Sequence, residues 1–258
     1  MKTLRHFWSI LDFHTLLLVT STLFATFLCH VLHWEFNIPT DLIGIAIIFP
    51  IVFSINAAYS RREKALELYA KLKAEVSGIY FAFRDWHPAN SIELKEESTK
   101  ILLGFFSSTR SYLVESNHDK KLLENVYKGF STLSRLSVKY RDLGISTSEI
   151  SMVEKSITNM IEHFEQLKNI LMYRTPVSLR AYSHVFLNIF PLFFAPYFAY
   201  LGDTTSPVLG YLVGGMYALI LVSLDNIQDH LENPFDQEGA DDLKLEGGEY
   251  ISFISEER

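Results

Sequence analysis

The sequence predicts an all-α integral membrane protein with four transmembrane helices in two hairpins and a helical cytosolic bundle between them. Three observations predict it. Four segments of about twenty residues carry no Asp, Glu, Lys or Arg, the length a helix needs to cross a bilayer. Basic residues gather at one set of span ends and are missing from the other. The long stretch between the second and third spans repeats apolar positions every three or four residues and shows no alternating strand pattern.

The first charge-free segment is Phe13 to Trp34. A turn, EFNIPTD from Glu35 to Asp41, leads into the second, Leu42 to Ser60, which reads LIGIAIIFPIVFSINAAYS. With no Gly or Pro at the junction, this run becomes RREKALELYAKLKAEVSGIY, so one long helix is expected to start in lipid and continue into the cytosol. Ile45, Phe49 and Phe53 recur at a spacing of four in its apolar half, which puts all three on one helical face. Such a stripe can pack against neighbouring helices or lipid, or it can line a pore as a ring of apolar side chains contributed by several subunits. Pro50 lies inside the stripe and frees a backbone carbonyl, which protein or a water-filled cavity accommodates better than lipid does.

The third segment is Ala181 to Gly202 and the fourth is Thr204 to Leu224, joined by GDTTSP from Gly202 to Pro207. Neither hairpin turn holds a Lys or Arg, whereas Lys2, Arg5, Arg61, Arg62, Lys64, Arg174 and Arg180 flank the opposite ends. An excess of basic residues marks the cytoplasmic side, so both termini and the middle region are expected in the cytoplasm of a multi-pass cell-membrane protein. The chain then divides into 1–60 with the first two spans, a cytosolic helical region at 61–180, the last two spans at 181–224, and an acidic cytosolic tail at 225–258.

In the middle region Asn90 and Glu93 form a capping-box signal for one helix. Lys121 to Tyr140 forms a second, closed by Gly144. Ser146 with Glu149 opens a third, which runs to about Tyr173 and is ended by Pro176. Their apolar faces, including Leu102, Phe105, Phe106, Ile157, Phe164 and Leu167, need partners and should bundle. The last span is expected to continue as a helix to about Glu232 and to stop before Pro234.

Composition narrows the function. The chain has 258 residues, 48% apolar, and its net charge of −7 includes no broad basic patch, which argues against a nucleic-acid partner. Cys29 is the one cysteine and sits in an apolar run, as a packing residue would. No nucleophile elbow, phosphate loop or dinucleotide fingerprint is present, and the chain reads as no enzyme. GYLVGG, Gly210 to Gly215, lies mid-span, where small residues allow helices to approach closely. His30 and His33, three apart, suit either a membrane interface or a metal pair. His184 and Asn188, four apart in the third span, suit interhelical hydrogen bonds or a water path. In the tail, Asp236, Glu238, Asp241, Asp242 and Glu246 form either a solvated acidic turn or a site for a hard cation such as calcium.

Two stretches carry a family resemblance. One is NPF followed by acidic residues, from Asn233 to Asp242. The other is GIAIIFPIVFSINAAYSRR, with Asn56, Ala57, Tyr59 and Arg61 after the stripe. With four spans in a two-plus-two arrangement, the chain from about Phe7 to Leu245 resembles the bestrophin channel family. Ser60 stands where the family has an acid, and Arg62 where it has a Trp. The resemblance implies a homopentamer whose second spans line one central pore, with Ile45, Phe49 and Phe53 at the neck. It implies a cytosolic aperture in RTPVSLRAY, Arg174 to Tyr182, at Val177 with Leu179 as a rival. It also implies a calcium clasp, for which Asn233, Glu238, Asp241 and Asp242 fall at comparable places, although Gly239 and Ala240 interrupt the acidic run. No other cofactor is called for, and the partners would be a second copy of the chain, membrane lipid and permeant inorganic ions. Two Phe residues in the triplet resemble the anion-selective members of the family, which implies anions such as chloride; some compact relatives pass cations such as sodium and potassium, which is the alternative. A membrane enzyme using His30, His33 and His184 with a metal, and a non-conducting scaffold, are the readings from other classes.

Overall fold

Asp12 opens the first described helix: its carboxylate accepts from the Thr15 N–H at 2.8 Å, and Thr15 returns the bond in a capping box. The computed structural model describes residues 12–86, 92–115, 119–173, 176–237 and 242–245, with the side chains at 40–43, 46, 92, 93, 177 and 179 outside the description. These residues form eight helices and, among the described residues, no strand: α1 (Phe13–Val31), α2 (Thr40–Asp85), α3 (Ile92–Val114), α4 (Lys120–Asp142), α5 (Thr147–Met172), α6 (Val177–Phe193), α7 (Ala195–Thr204) and α8 (Pro207–Glu232). The expected long helix is there, as the 46 residues of α2. The chain falls into two compact units, 1–60 with 174–232 and 61–173 with 233–258, so the division point lies inside α2.

The first unit contains α1, the front of α2, and α6 to α8. α1 packs on α7 and α8, and α6 and α7 pack on α8. Ile47 and Ile51 of α2 are buried with Leu187, Phe194, Phe198 and Leu221, while Leu18 meets Ala218 and Val222. The glycines of α8 allow the closest approach. A Cβ on Gly210 would lie 2.4 Å from the Phe198 carbonyl oxygen and 2.9 Å from the Gly202 Cα, so α7 leaves no room for any side chain there. Gly214 meets the Phe198 ring in the same way, at 3.0 Å.

Three described helical stretches are long and apolar enough to cross a membrane: Phe13–Val31, Arg180–Thr204 and Pro207–Glu232. Their bounds correct the sequence expectations in detail. The first helix ends at Val31 rather than Trp34, and His33 lies beyond it with φ 53, so His30 and His33 do not share a helix face. The third stretch is not one uninterrupted helix. It breaks at Phe194 because Pro191 and Pro196 each remove a donor from the ladder. The last helix runs to Glu232, as expected from Pro234.

The second unit is built from the rest of α2 with α3, α4 and α5. α4 starts on Asp119, whose side chain accepts from the Lys121 N–H, and ends before Gly144 at φ 97, a conformation suited to glycine. α5 starts on the expected Ser146–Glu149 capping box; Asn90, expected to open α3, lies outside the described residues. The faces that needed partners find one another. Leu72, Val76 and Phe83 of α2 share a core with Leu102 and Phe105 of α3, Phe130 and Leu133 of α4, and Phe164 and Leu167 of α5. Aromatic rings bind this core across helices: Phe105 lies 4.9 Å from Phe130, Phe130 5.8 Å from Phe164, and Phe83 stacks on Tyr140 at 4.2 Å. The tail returns to it through Phe235, Leu243 and Leu245, all buried, and Arg110 Nε donates to the Leu245 carbonyl at 3.0 Å.

Candidate functional site

The front of α2 has two unlike faces. Ile47, Ile51, Ser54 and Ala58, at steps of four, three and four, are buried. Ile45, Phe49 and Phe53 lie on another side of the same turns and are 63%, 62% and 56% exposed, with Ile48 and Val52 beside them. Exposure of five large apolar side chains on one helix face is a surface that needs an apolar medium, a second copy, or both. Phe49 and Phe53 meet edge to face, with ring centroids 4.9 Å apart and planes at 72°. Pro50 is half-buried within the stripe, and the helix continues through it.

Where the second unit begins, Arg61 of α2 donates from Nη2 to the Ile170 carbonyl at 2.6 Å and from Nη1 to the Tyr173 carbonyl. Both carbonyls belong to the end of α5, where no intrahelical donor remains. The sequence marked Arg61 as a basic residue flanking a span and as part of the family resemblance, not as a partner of α5. Its partners are more than a hundred positions away, and local patterning carries no signal for them.

Val177 is the first residue of α6, with Pro176 as its N-cap; its side chain and that of the rival Leu179 lie outside the described residues. Of the acidic set after α8, Asn233 and Asp242 are described and Glu238 and Asp241 lie outside the described residues. The loop between them closes on itself: the Leu243 N–H donates to the Pro234 carbonyl at 2.9 Å, and Gln237 Nε2 donates to the Leu243 carbonyl at 2.7 Å.

His30 and His184 do not come together. His30 Nδ1 lies 3.1 Å from Glu35 Oε1. His184 stacks on His14, ring centroids 6.4 Å apart, at the other end of α1. Sixteen residues separate His14 from His30, about 24 Å along a helix. Among the described residues no three His, Cys, Asp or Glu side chains form a metal-binding group. His184 and Asn188 do share a target, which the sequence did not show: His184 Nδ1 is 2.8 Å from Asp225 Oδ2, and Asn188 Nδ2 donates to the same oxygen at 3.2 Å. The interhelical reading of this pair holds, with α8 as the partner.

The family model of the bacterial and fungal bestrophin proteins matches residues 3–247. The chain belongs to that bestrophin family. Solved bestrophins share the fold: one variant of a bacterial bestrophin homologue from Klebsiella pneumoniae has a TM-score of 0.81 at 16% identity, over 93% of this chain and 97% of its own. A second variant of it gives 0.80 at 15% identity, over 93% and 98%, and the form solved by zinc phasing gives 0.78 at 17%, over 93% and 94%. No curated protein sequence matches the chain. Membership in the bestrophin family agrees with a membrane location for the apolar helices described above.

Proposed function

We propose that the chain is a bestrophin-like ion channel, a homopentamer in which five copies of α2 turn Ile45, Phe49 and Phe53 toward a common axis. The observation that carries this reading is the exposure of those three side chains while the opposite side of the same turns is buried against α6, α7 and α8. A helix facing only lipid would not need a strict Ile–Phe–Phe repeat. Five such repeats give a narrow, dry constriction that an ion crosses by shedding part of its water, and that conducts when it wets.

Leu42–Ser60 then serves as a fourth span beside the three described ones, and two hairpins leave both termini and residues 61–180 in the cytoplasm. Val177 forms a second, cytosolic aperture. The segment of Asn233, Glu238, Asp241 and Asp242 braces the tail and takes calcium if any cofactor binds there. The permeant ions are anions such as chloride, favoured where ring edges, which carry partial positive charge, point inward.

Oligomer mass in detergent, followed by flux in reconstituted vesicles under a salt gradient, tests the proposal. Five copies per particle and a reversal potential near that of chloride are expected. A monomer rejects the neck, a cation-like reversal potential replaces the selectivity, and a pentamer without flux leaves a scaffold. The channel reading is preferred to the histidine-metal enzyme because His30 and His184 lie at opposite ends of α1.

A further inference from the structure

On one face of α8, Asp225, Gln228 and Glu232 are 2%, 2% and 4% exposed, at steps of three and four, so their side chains share that face. Each has a buried oxygen with no donor: Asp225 Oδ1, Gln228 Oε1 and Glu232 Oε1. Asn188 adds a fourth. Its amide nitrogen is committed to Asp225 Oδ2 at 3.2 Å and to the His184 carbonyl at 2.6 Å, while its Oδ1 is buried without a partner. All four orphaned atoms are acceptors.

Charge is short in the same direction. Arg180 Nη1 lies 3.1 Å from Glu232 Oε2 and balances it. Asp225 and Asp229 remain, a charge of −2 with His184 neutral and −1 with it protonated; His14, stacked on His184, and His230 are the other titratable groups nearby. Water can donate hydrogen bonds to stranded oxygens but brings no charge, and an uncompensated buried carboxylate is costly at a membrane helix. Beside the cluster a cavity of about 330 Å³, lined by Arg180, Ala181, His184 and Asp229, opens to solvent.

We propose that Asp225, Gln228 and Asn188, with Asp229 on the cavity side, bind a hard divalent cation of the calcium type, at a site separate from the acidic loop after α8. Carboxylate and amide oxygens are the ligands such an ion takes, and water from the cavity completes its six to eight positions. Two amide carbonyls supply what a set of His, Cys and acidic side chains alone does not provide here. Glu232, two helical turns from Asp225, stays with Arg180 and outside the site. His184 Nδ1 is engaged by Asp225, so that nitrogen is not among the ligands.

Equilibrium dialysis of radioactive calcium against the full-length protein in detergent tests this, with Asp225→Asn, Gln228→Leu, Asp229→Asn and Asp242→Asn as variants. Saturable uptake is expected, weakened about tenfold or more by Asp225→Asn and by Asp229→Asn. Asp229 is exposed, so that variant folds even if Asp225→Asn does not. Asp242→Asn, in the acidic loop, should leave in place the uptake that Asp225→Asn and Asp229→Asn remove. No uptake, uptake unchanged by both Gln228→Leu and Asp229→Asn, loss in Asp242→Asn alone, or displacement by zinc that depends on His184 would each overturn the site. Calcium binding by a particle of any size leaves the site standing, so the channel proposal stands or falls separately.

Discussion

Phe49 and Phe53 pack edge to face on the exposed side of α2, their centroids 4.9 Å apart. One ring therefore fixes the tilt of the other, and each presents a different part of its quadrupole to whatever lies in front of it. Replacing either with Ala should widen the constriction, ease its wetting and raise single-channel conductance or open probability, and should loosen the remaining ring. Planar-bilayer recordings check this; unchanged currents in both variants would remove the stripe from the ion path.

Gly210→Ala is expected to destabilise the first unit. The new methyl would meet the Phe198 carbonyl oxygen at 2.4 Å, and backbone cannot step aside as a flexible side chain can. Overpacking of this kind costs about 1–3 kcal/mol. Thermal unfolding in detergent should show a lower midpoint for Gly210→Ala, whereas Gly44→Ala, with nothing within 4 Å of its Cβ, should match the parent.

Glu165, Lys168 and Tyr127 form a small network between α5 and α4. Burial works to raise the Glu165 carboxyl, but bonds from Lys168 and Tyr127 outweigh it and hold it below the ordinary carboxylate range. Burial likewise works to lower Lys168, and the bonds to Glu165 and Tyr127 outweigh it and hold it high. A depressed carboxylate stabilises above its unfolded value, about 4.3, and loses that contribution as pH falls through the folded value; a raised lysine stabilises below about 10.4 and loses it as pH rises. The pair is partly solvent-screened, so about 0.2–1 kcal/mol is at stake. Glu165→Gln should lower the midpoint by a constant amount at neutral pH, and the gap should close below about pH 4. A gap that widens in acid would contradict the assignment.

Phe235 is fully buried in the core of the second unit, between the end of α8 and the closed loop. Phe235→Ala removes a large ring from a packed site, at a cost of about 3–5 kcal/mol. The tail should then detach and be cut first in limited proteolysis, while Lys244→Ala, which is exposed, should leave the digestion pattern unchanged.

Much of this was legible locally. Ser146 with Glu149, Gly144 and Pro234 marked helix ends because caps and breakers act within one turn. Unbroken apolar and amphipathic periodicity carried across Ser60 and announced α2. The stripe was readable as a face, since its spacing is helical, but its exposure depends on what Ile47 and Ile51 pack against. What the sequence hid lies across elements. Nothing near Arg61 points to the carbonyls of Ile170 and Tyr173, and nothing near His184 points to Asp225. His33 misled because helical spacing was counted past the residue where the backbone turns left-handed. The interruption at Phe194 could have been read from Pro191 and Pro196, five apart; an absence of charge concealed it.

That interruption bears on how the protein is made. Two missing amide hydrogens leave the carbonyls of Leu187 and Leu192 without their usual helical donors, and the Phe194 N–H turns to Leu192 in their place, so Arg180–Thr204 is a weaker backbone ladder than an unbroken helix of the same length. Such a segment is poorly equipped to wait alone among acyl chains during biosynthesis. Its natural shelter is α8, already flattened by Gly210 and Gly214 to receive it, and the two should leave the insertion machinery together as one unit.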